Sequence, residues 1–182
     1  MRKRLFVVLV LAIALSASPT LFARDTGNIS IGAQLGFLAT GVVVDVDLGP
    51  VAVNAGVNYP LGWTYISILG GLDSASFPAM FTVTADVTFP MALSDDFTLK
   101  FGASTLGFTD FESGIIGVLG GTVKGEYWIP DRDYGLFVNL NVPVMLYGSV
   151  GELFGDESVV FFSPWLPLAG LLTTTAGMLW SF

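Results

Sequence analysis

Six charged side chains recur at every second position of segments that are otherwise apolar or small. Two lie in VVVDVDL (42–48), one in TVTADVTF (82–89), one in TLKF (98–101) and two in TVKGEY (122–127). They are Asp45, Asp47, Asp86, Lys100, Lys124 and Glu126. In a β-strand, residues two apart point to the same face. Carboxylates at this spacing suit paired acid–base chemistry, whereas mixed charges on one buried face suit an ion-pair network.

Histidine and cysteine are both absent from the 182 residues. Without histidine there is no Ser-His or Cys-His nucleophile, and the commonest metal ligand is missing. Without cysteine there is no disulfide, thiolate metal site or thiol catalyst. No motif that would position a substrate accompanies Asp45 and Asp47. We therefore expect a non-enzymatic protein with no catalytic residue, no metal site and no cofactor, whose six charges form a polar network in a narrow interior.

The amino-terminal segment has the layout of a secretory signal peptide. A basic MRKR is followed by the apolar run LFVVLVLAIAL and then by the small residues of SASPTLFA. The apolar run is too short for a helix that spans a bilayer. We expect residues 1–23 to be an export signal, with cleavage between 16 and 23, and residues 24–182 to form a single domain.

Charge and composition limit the class of protein further. The formal net charge is −8, and loss of the basic leader lowers it to about −11. An acidic chain repels phosphate backbones, so we expect no nucleic-acid partner. Hydrophobic residues make up 53% of the chain and charged residues 12%, yet the segment after the leader has no apolar run long enough for a spanning helix. A closed β-barrel is the other architecture that can cross a membrane.

Alternation of apolar and polar residues predicts eight strands. In residues 80–89 the odd positions from 81 are apolar and the even positions from 82 are polar, which gives one apolar and one polar face. The predicted strands are 28–37, 41–48, 51–59, 80–89, 97–107, 115–128, 134–147 and 171–182. The fold class is therefore an all-β, antiparallel, up-and-down transmembrane barrel. Alternation continues through Leu61, Trp63 and Tyr65, so the alternatives are a third strand that protrudes from the barrel or a count of ten strands.

The connections agree with this barrel. Short turns at 49–50, 93–96 and 130–133 alternate with longer segments at 60–79, 108–114 and 148–170, as expected when one end faces the periplasm. Three predicted pairings are Leu48 with Val51, Phe89 with Phe97, and Ile129 with Arg132. The second pairing places Asp86 opposite Lys100. Pro143 cannot donate a ladder hydrogen bond, so a bulge is expected there.

The last predicted strand ends in TTTAGMLWSF, where alternate residues are apolar and the final one is aromatic. Met178, Trp180 and Phe182 share one face. This pattern resembles the carboxyl-terminal signature of outer-membrane barrels, and the whole predicted domain resembles small eight-stranded barrels of the OmpA, OmpX and OmpW kind. The resemblance implies an outer-membrane location, surrounding outer-membrane lipid, and delivery by periplasmic chaperones to the barrel-assembly machinery, which recognises the terminal strand.

Phe161, Phe162 and Trp165 form an aromatic cluster in the long segment before the last strand. They are candidates for a lid or ligand gate over the barrel mouth. The alternatives are a loop that rests on lipid headgroups or an extension of the last hairpin.

Three functions fit these features. The first is a structural envelope barrel or a narrow pathway for small or apolar solutes. The second is a surface-exposed binding or adhesion protein that acts through its outer loops on an unidentified extracellular partner. The third is an exported soluble carrier of lipocalin type, which would need an apolar interior.

Overall fold

The computed structural model describes residues 29–71, 80–109, 114–150 and 159–182. The expected export signal therefore lies outside the described residues. The strands are β1 (Ile29–Gly36), β2 (Thr40–Asp47), β3 (Ala52–Tyr59), β4 (Phe81–Ala92), β5 (Phe97–Thr109), β6 (Gly114–Trp128), β7 (Tyr134–Val150), β8 (Val159–Phe162) and β9 (Thr175–Ser181). The helices are α1 (Leu61–Leu69), a 3-10 turn (Leu166–Ala169) and α2 (Gly170–Thr173).

Eight of these strands close into an antiparallel up-and-down barrel. β1 to β7 pair in chain order, and β9 pairs with both β7 and β1. The short β8 adds to the loop-end half of β7. We call the end with segments 48–51, 93–96 and 129–133 the turn end, and the opposite end, with α1 and β8, the loop end. The prediction of an all-β, antiparallel, up-and-down barrel of eight strands is confirmed.

The alternatives of a protruding third strand and of ten strands are wrong, because residues 61–69 form a helix rather than a strand. The amide of Gly62 donates to the carbonyl of Phe37 at 2.8 Å, which fixes the start of the helix beside the β1–β2 connection. A helix satisfies its backbone groups internally, whereas an extension of β3 would need a partner strand at the loop end. Of the helices in the described ranges, none is long and apolar enough to cross a membrane.

The strands are strongly tilted. A path that starts at Pro143 of β7 and steps from each residue to its paired neighbour goes once around the barrel and reaches Ser181 of β9. Ser181 lies beside Asp133, which directly precedes β7, so the path returns ten residues before the residue from which it started. Closing a barrel of eight strands requires such a stagger and a tilt of roughly 35–45°. The tilt moves side chains of distant strands to the same height inside the barrel.

The polarity of the barrel is reversed relative to that of a soluble protein. Among the described residues, twenty polar or charged residues are buried and only six hydrophobic ones. The outward positions of the strands are mostly large and apolar, and many are exposed. They include Ile31, Val42, Val44, Val57, Val87, Phe101, Val123, Leu136, Val138 and Leu140. The alternation in the sequence therefore corresponds to a polar inside and an apolar outside.

The predicted register between β2 and β3 is confirmed, with Val46 beside Val53. Two other predicted registers are wrong by an even number of residues. Phe89 pairs with Phe101 rather than Phe97, because a tight turn at 93–96 lets the two strands continue pairing as far as Ala92 and Thr98. An even offset keeps every side chain on its predicted face.

The β6–β7 register differs by two residues, so that Tyr127 pairs with Leu136 rather than Tyr134. The amide of Ile129 donates to the carbonyl of Tyr134, which closes a four-residue turn at 130–133 instead of the expected two-residue turn. Asp131 has a positive φ of 60° in this turn, a conformation that aspartate tolerates better than most residues.

The expected bulge at Pro143 is confirmed. The register shifts between Leu119, which pairs with Met145, and Gly120, which pairs with Pro143, so Val144 is the extra residue. On its other edge β7 pairs with β9 over residues 134–139 and with β8 over residues 145–148. The intervening residues 140–144 have neither strand as a neighbour. The amide side chain of Asn141 instead donates to the carbonyl of Thr173 in α2.

Candidate functional site

Two lysines and two acids form a compact ion-pair cluster inside the barrel. The Nζ atom of Lys100 lies 2.8 Å from Oδ1 of Asp45 and 3.0 Å from Oε1 of Glu126. The Nζ atom of Lys124 lies 2.6 Å from Oδ2 of Asp45 and 2.7 Å from the same Oε1. These side chains are at most 2% exposed. Asp47 lies at the edge of the cluster, with its Oδ2 atom 3.8 Å from Lys100.

The cluster connects strands that are far apart in the sheet. Lys100 on β5 and Lys124 on β6 are direct neighbours in register, and like charges in that position repel each other. Asp45 reaches them from β2 on the other side of the interior, and each of its carboxylate oxygens meets one ammonium group. Five of the six residues predicted for a polar network thus lie together. The bonds of Asp45 cross the barrel, whereas those of Glu126 join neighbours on β5 and β6.

Asp86 does not belong to this cluster. The expected pairing with Lys100 is wrong, because the register offset places Asp86 beside Ser104 and Lys100 beside Pro90. Its Oδ2 atom accepts a hydrogen bond of 3.0 Å from Nδ2 of Asn139 on β7. The five other predicted network residues are brought together, whereas Asp86 lies apart from them with neutral partners.

An apolar layer lies next to the ion pairs at the turn end. Nζ of Lys124 lies 4.7 Å from the centroid of the Phe137 ring, a cation–π distance. Phe137 packs with Val43 and Leu179, and Trp128 lies against this group. Phe137 was not among the predicted site residues, although its place between the outward Leu136 and Val138 indicates an inward side chain. The layer and the ion pairs together fill this half of the interior.

Neutral polar side chains occupy the other half. Nε2 of Gln34 donates to Oδ1 of Asn58 at 2.8 Å, and Nδ2 of Asn58 donates to the hydroxyl of Thr84 at 3.2 Å. Asn54 donates to Asp45 at 3.2 Å. Sequence reasoning missed these amides because it considered only charges, although their inward parity was visible. A cavity of about 10 Å³ remains beside them, enough for one water-sized sphere.

The three aromatic candidates for a gate lie at the loop end. Phe161 and Phe162 are on β8, where they pair with Leu146 and Met145, and Trp165 lies in the following turn. β8 extends the last hairpin along β7, as one of the alternatives predicted. All three side chains are exposed, Trp165 by 75%, and none lines the internal cavity.

The residues of the expected assembly signal lie on the outer face at the turn end. Trp180 pairs with Ile31 of β1 and Tyr134 of β7, and Met178 lies two residues before it on the same face. The amide of Phe182 donates to the carbonyl of Ile29 at 3.1 Å. β9 thus closes the barrel through its pairing with both neighbours.

Comparison with known proteins adds no identity to this arrangement. No family model matches the chain, and neither a curated protein nor a solved structure matches it. Within the described ranges, no group of three or more acidic side chains is arranged to hold a metal ion. What the barrel does must therefore be inferred from its own geometry.

The ion-pair cluster generates the first prediction. Lys124→Met should lower the free energy of unfolding by about 3–5 kcal/mol, because it leaves Asp45 and Glu126 with one ammonium group instead of two in a buried site. Urea titration of the barrel folded in detergent micelles would measure this loss.

Arg132→Met removes the same charge from the exposed turn at 129–133 and should change stability by less than about 0.5 kcal/mol. The double variant Lys124→Met with Glu126→Gln should recover part of the loss, because it also removes one of the unbalanced carboxylates. Equal stability of Lys124→Met and the parent protein would contradict the role assigned to the cluster.

Proposed function

We propose that this chain is a non-enzymatic barrel that spans the bacterial outer membrane and serves the structure of the envelope, with an interior closed to solutes. The observation that carries the proposal is the reversed polarity of the wall, with ion pairs and amides inside and large apolar side chains outside. In lipid, an exposed apolar surface is stable, and closure of the sheet gives each of the eight barrel strands a neighbour on both sides for most of its length.

The exterior supports a lipid environment in detail. On neighbouring strands, Phe101, Val123 and Leu140 lie side by side on the outer face, and each is between 41% and 49% exposed. At the turn end, Tyr134 and Trp180 pair on the outer face, and such amphipathic aromatics favour the interface between lipid and water. Contiguous apolar patches of this extent are unusual on soluble monomers.

The interior argues against the two transport alternatives. A lipocalin-type carrier would need an apolar ligand cavity between its strands, whereas the described interior there is lined by charges and amides, with a cavity of about 10 Å³ next to Asp86. The larger apolar pocket, of about 500 Å³, lies at the loop end beside α1, where Tyr59, Trp63 and Phe108 line it. A solute pathway would have to break the salt bridges of Asp45 and displace Phe137. Eight strands ordinarily leave room only for side chains.

Location and assembly rest on the sequence features. The basic and apolar leader supports export, and the alternating strand that ends in Trp180 and Phe182 supports recognition by the barrel-assembly machinery. The resemblance to OmpA, OmpX and OmpW barrels supports the same location. At the loop end, α1 and the segment from β8 to α2 carry exposed apolar side chains, among them Trp63 and Trp165. These side chains suit the headgroup region of the outer leaflet.

A charge on the outer wall tests the lipid contact. Val123→Arg should make folding into phospholipid vesicles less favourable by about 2–4 kcal/mol, because arginine then lies within the hydrocarbon. Leu93→Arg is the matched control, since Leu93 is exposed in the turn at 93–96 and should cost at most about 1 kcal/mol.

Folding is followed by the heat-sensitive mobility of the barrel on gels after urea-driven folding into the vesicles. If both variants fold into vesicles as well as the parent protein does, the wall does not face lipid, and the proposal fails.

Electrical recordings test the closed interior. The purified barrel in a planar phospholipid bilayer should give the same current as a protein-free bilayer, because the ion pairs and Phe137 fill the cross-section. A general porin in the same apparatus shows that the assay detects open barrels. Stepwise currents that increase with the amount of this protein would overturn the closed interior and favour the solute pathway.

A further inference from the structure

The internal cavity is lined by oxygen-bearing side chains from five strands and from α2. Those that matter most come from β4, β7 and β9, namely Asp86, Asn141 and Thr175. The cavity lies on the loop-end side of the ion-pair cluster, next to the bulge at Pro143. Its volume of about 10 Å³ suits one water molecule or one ion without its hydration shell.

Two oxygen atoms in this lining have no hydrogen-bond partner among the described residues. One is Oδ1 of Asn141, and the other is Oγ1 of Thr175, a residue only 3% exposed. The orientation of the Asn141 amide follows from its bond to the carbonyl of Thr173 at 2.8 Å. The Thr173 carbonyl can only accept a hydrogen bond, so the Asn141 amide must point its nitrogen toward Thr173. The Oδ1 atom of Asn141 is then the end of the amide without a partner. The cavity thus offers unused acceptors.

Charge adds a second, independent argument. Asp86 is 4% exposed, and no ammonium group lies within 4.0 Å of it in the described part of the chain. Among the described residues, four carboxylates are buried, on Asp45, Asp47, Asp86 and Glu126, and two ammonium groups, on Lys100 and Lys124. A buried charge without a close counterion is costly. Buried carboxylates therefore outnumber buried ammonium groups in this part of the chain, and Asp86 is the carboxylate that lines the cavity.

We propose that this cavity binds one monovalent metal cation, Na⁺ or K⁺, held by Asp86, Asn141 and Thr175. Hard cations are bound by carboxylate, amide and carbonyl oxygens. One carboxylate among neutral oxygens matches a single positive charge, whereas tight sites for Ca²⁺ gather several carboxylates. A water molecule would bond to Asn141 and Thr175 but would leave the Asp86 carboxylate without a counterion within 4.0 Å. This inference goes beyond the proposed function and holds whether or not the wall contacts lipid.

The test compares thermal unfolding of the folded barrel in detergent micelles when choline chloride is replaced stepwise by NaCl or KCl at constant ionic strength. Choline is too large for the cavity, so it supplies the same screening without binding. A ligand that binds only the folded state raises the midpoint in a saturable way, by roughly 5 °C at concentrations well above its dissociation constant.

Asp86→Asn should abolish the saturable rise while it leaves the midpoint in choline equal or higher, because the unpaired charge is gone. Thr175→Val should weaken the response, and Asp95→Asn, the same change in the exposed turn at 93–96, should preserve it. An unchanged midpoint of the parent protein in all three salts, or a full response in Asp86→Asn, would overturn the proposal and leave only water in the cavity.

Discussion

The interior depends on the two ion pairs that the Asp45 carboxylate makes with Lys100 and Lys124. Lys100 and Lys124 face each other on neighbouring strands, and their ammonium groups would repel each other without a shared counterion. Asp45 reaches both from the opposite wall, and Glu126 binds the same pair. This geometry requires the strand tilt, because only a tilted closed sheet brings β2 to the height of β5 and β6 inside so narrow a barrel. The ion pairs and the closure of the sheet therefore support each other.

Polar residues fill the interior, so the apolar residues of an alternating strand can only lie outside. That distribution would cause a soluble protein to aggregate, but it suits lipid. It also limits function, since a filled interior leaves the wall and the loop end as the surfaces available to other molecules. The unused oxygens beside Asp86 are the exception, because they lie in the one part of the described interior where the side chains do not satisfy one another.

Strand number and facing were predictable because the two-residue period is local to each segment, and even the wrong registers kept Asp86 and Lys100 on the inner face. The pairing of Asp86 was not predictable, since it depends on a turn whose length shifts β5 by four residues. The helix at 61–69 was missed because its apolar alternation also fits a strand. A strand there would need a partner strand at the loop end, and the absence of such a partner in the described residues is what favours the helix. Asn139 was missed for a different reason, since a neutral amide gives no signal until its carboxylate neighbour is known.

The central claim is that the wall has an apolar face in lipid and a polar face in a filled interior. Because the chain has no native cysteine, single cysteines placed at positions 134–142 of β7 can each carry a nitroxide label in reconstituted vesicles. Accessibility to oxygen, which dissolves in lipid, should alternate with a period of two, high at Leu136, Val138 and Leu140 and low at Phe137 and Asn139. Uniform accessibility to a water-soluble nickel complex along the strand would contradict the account.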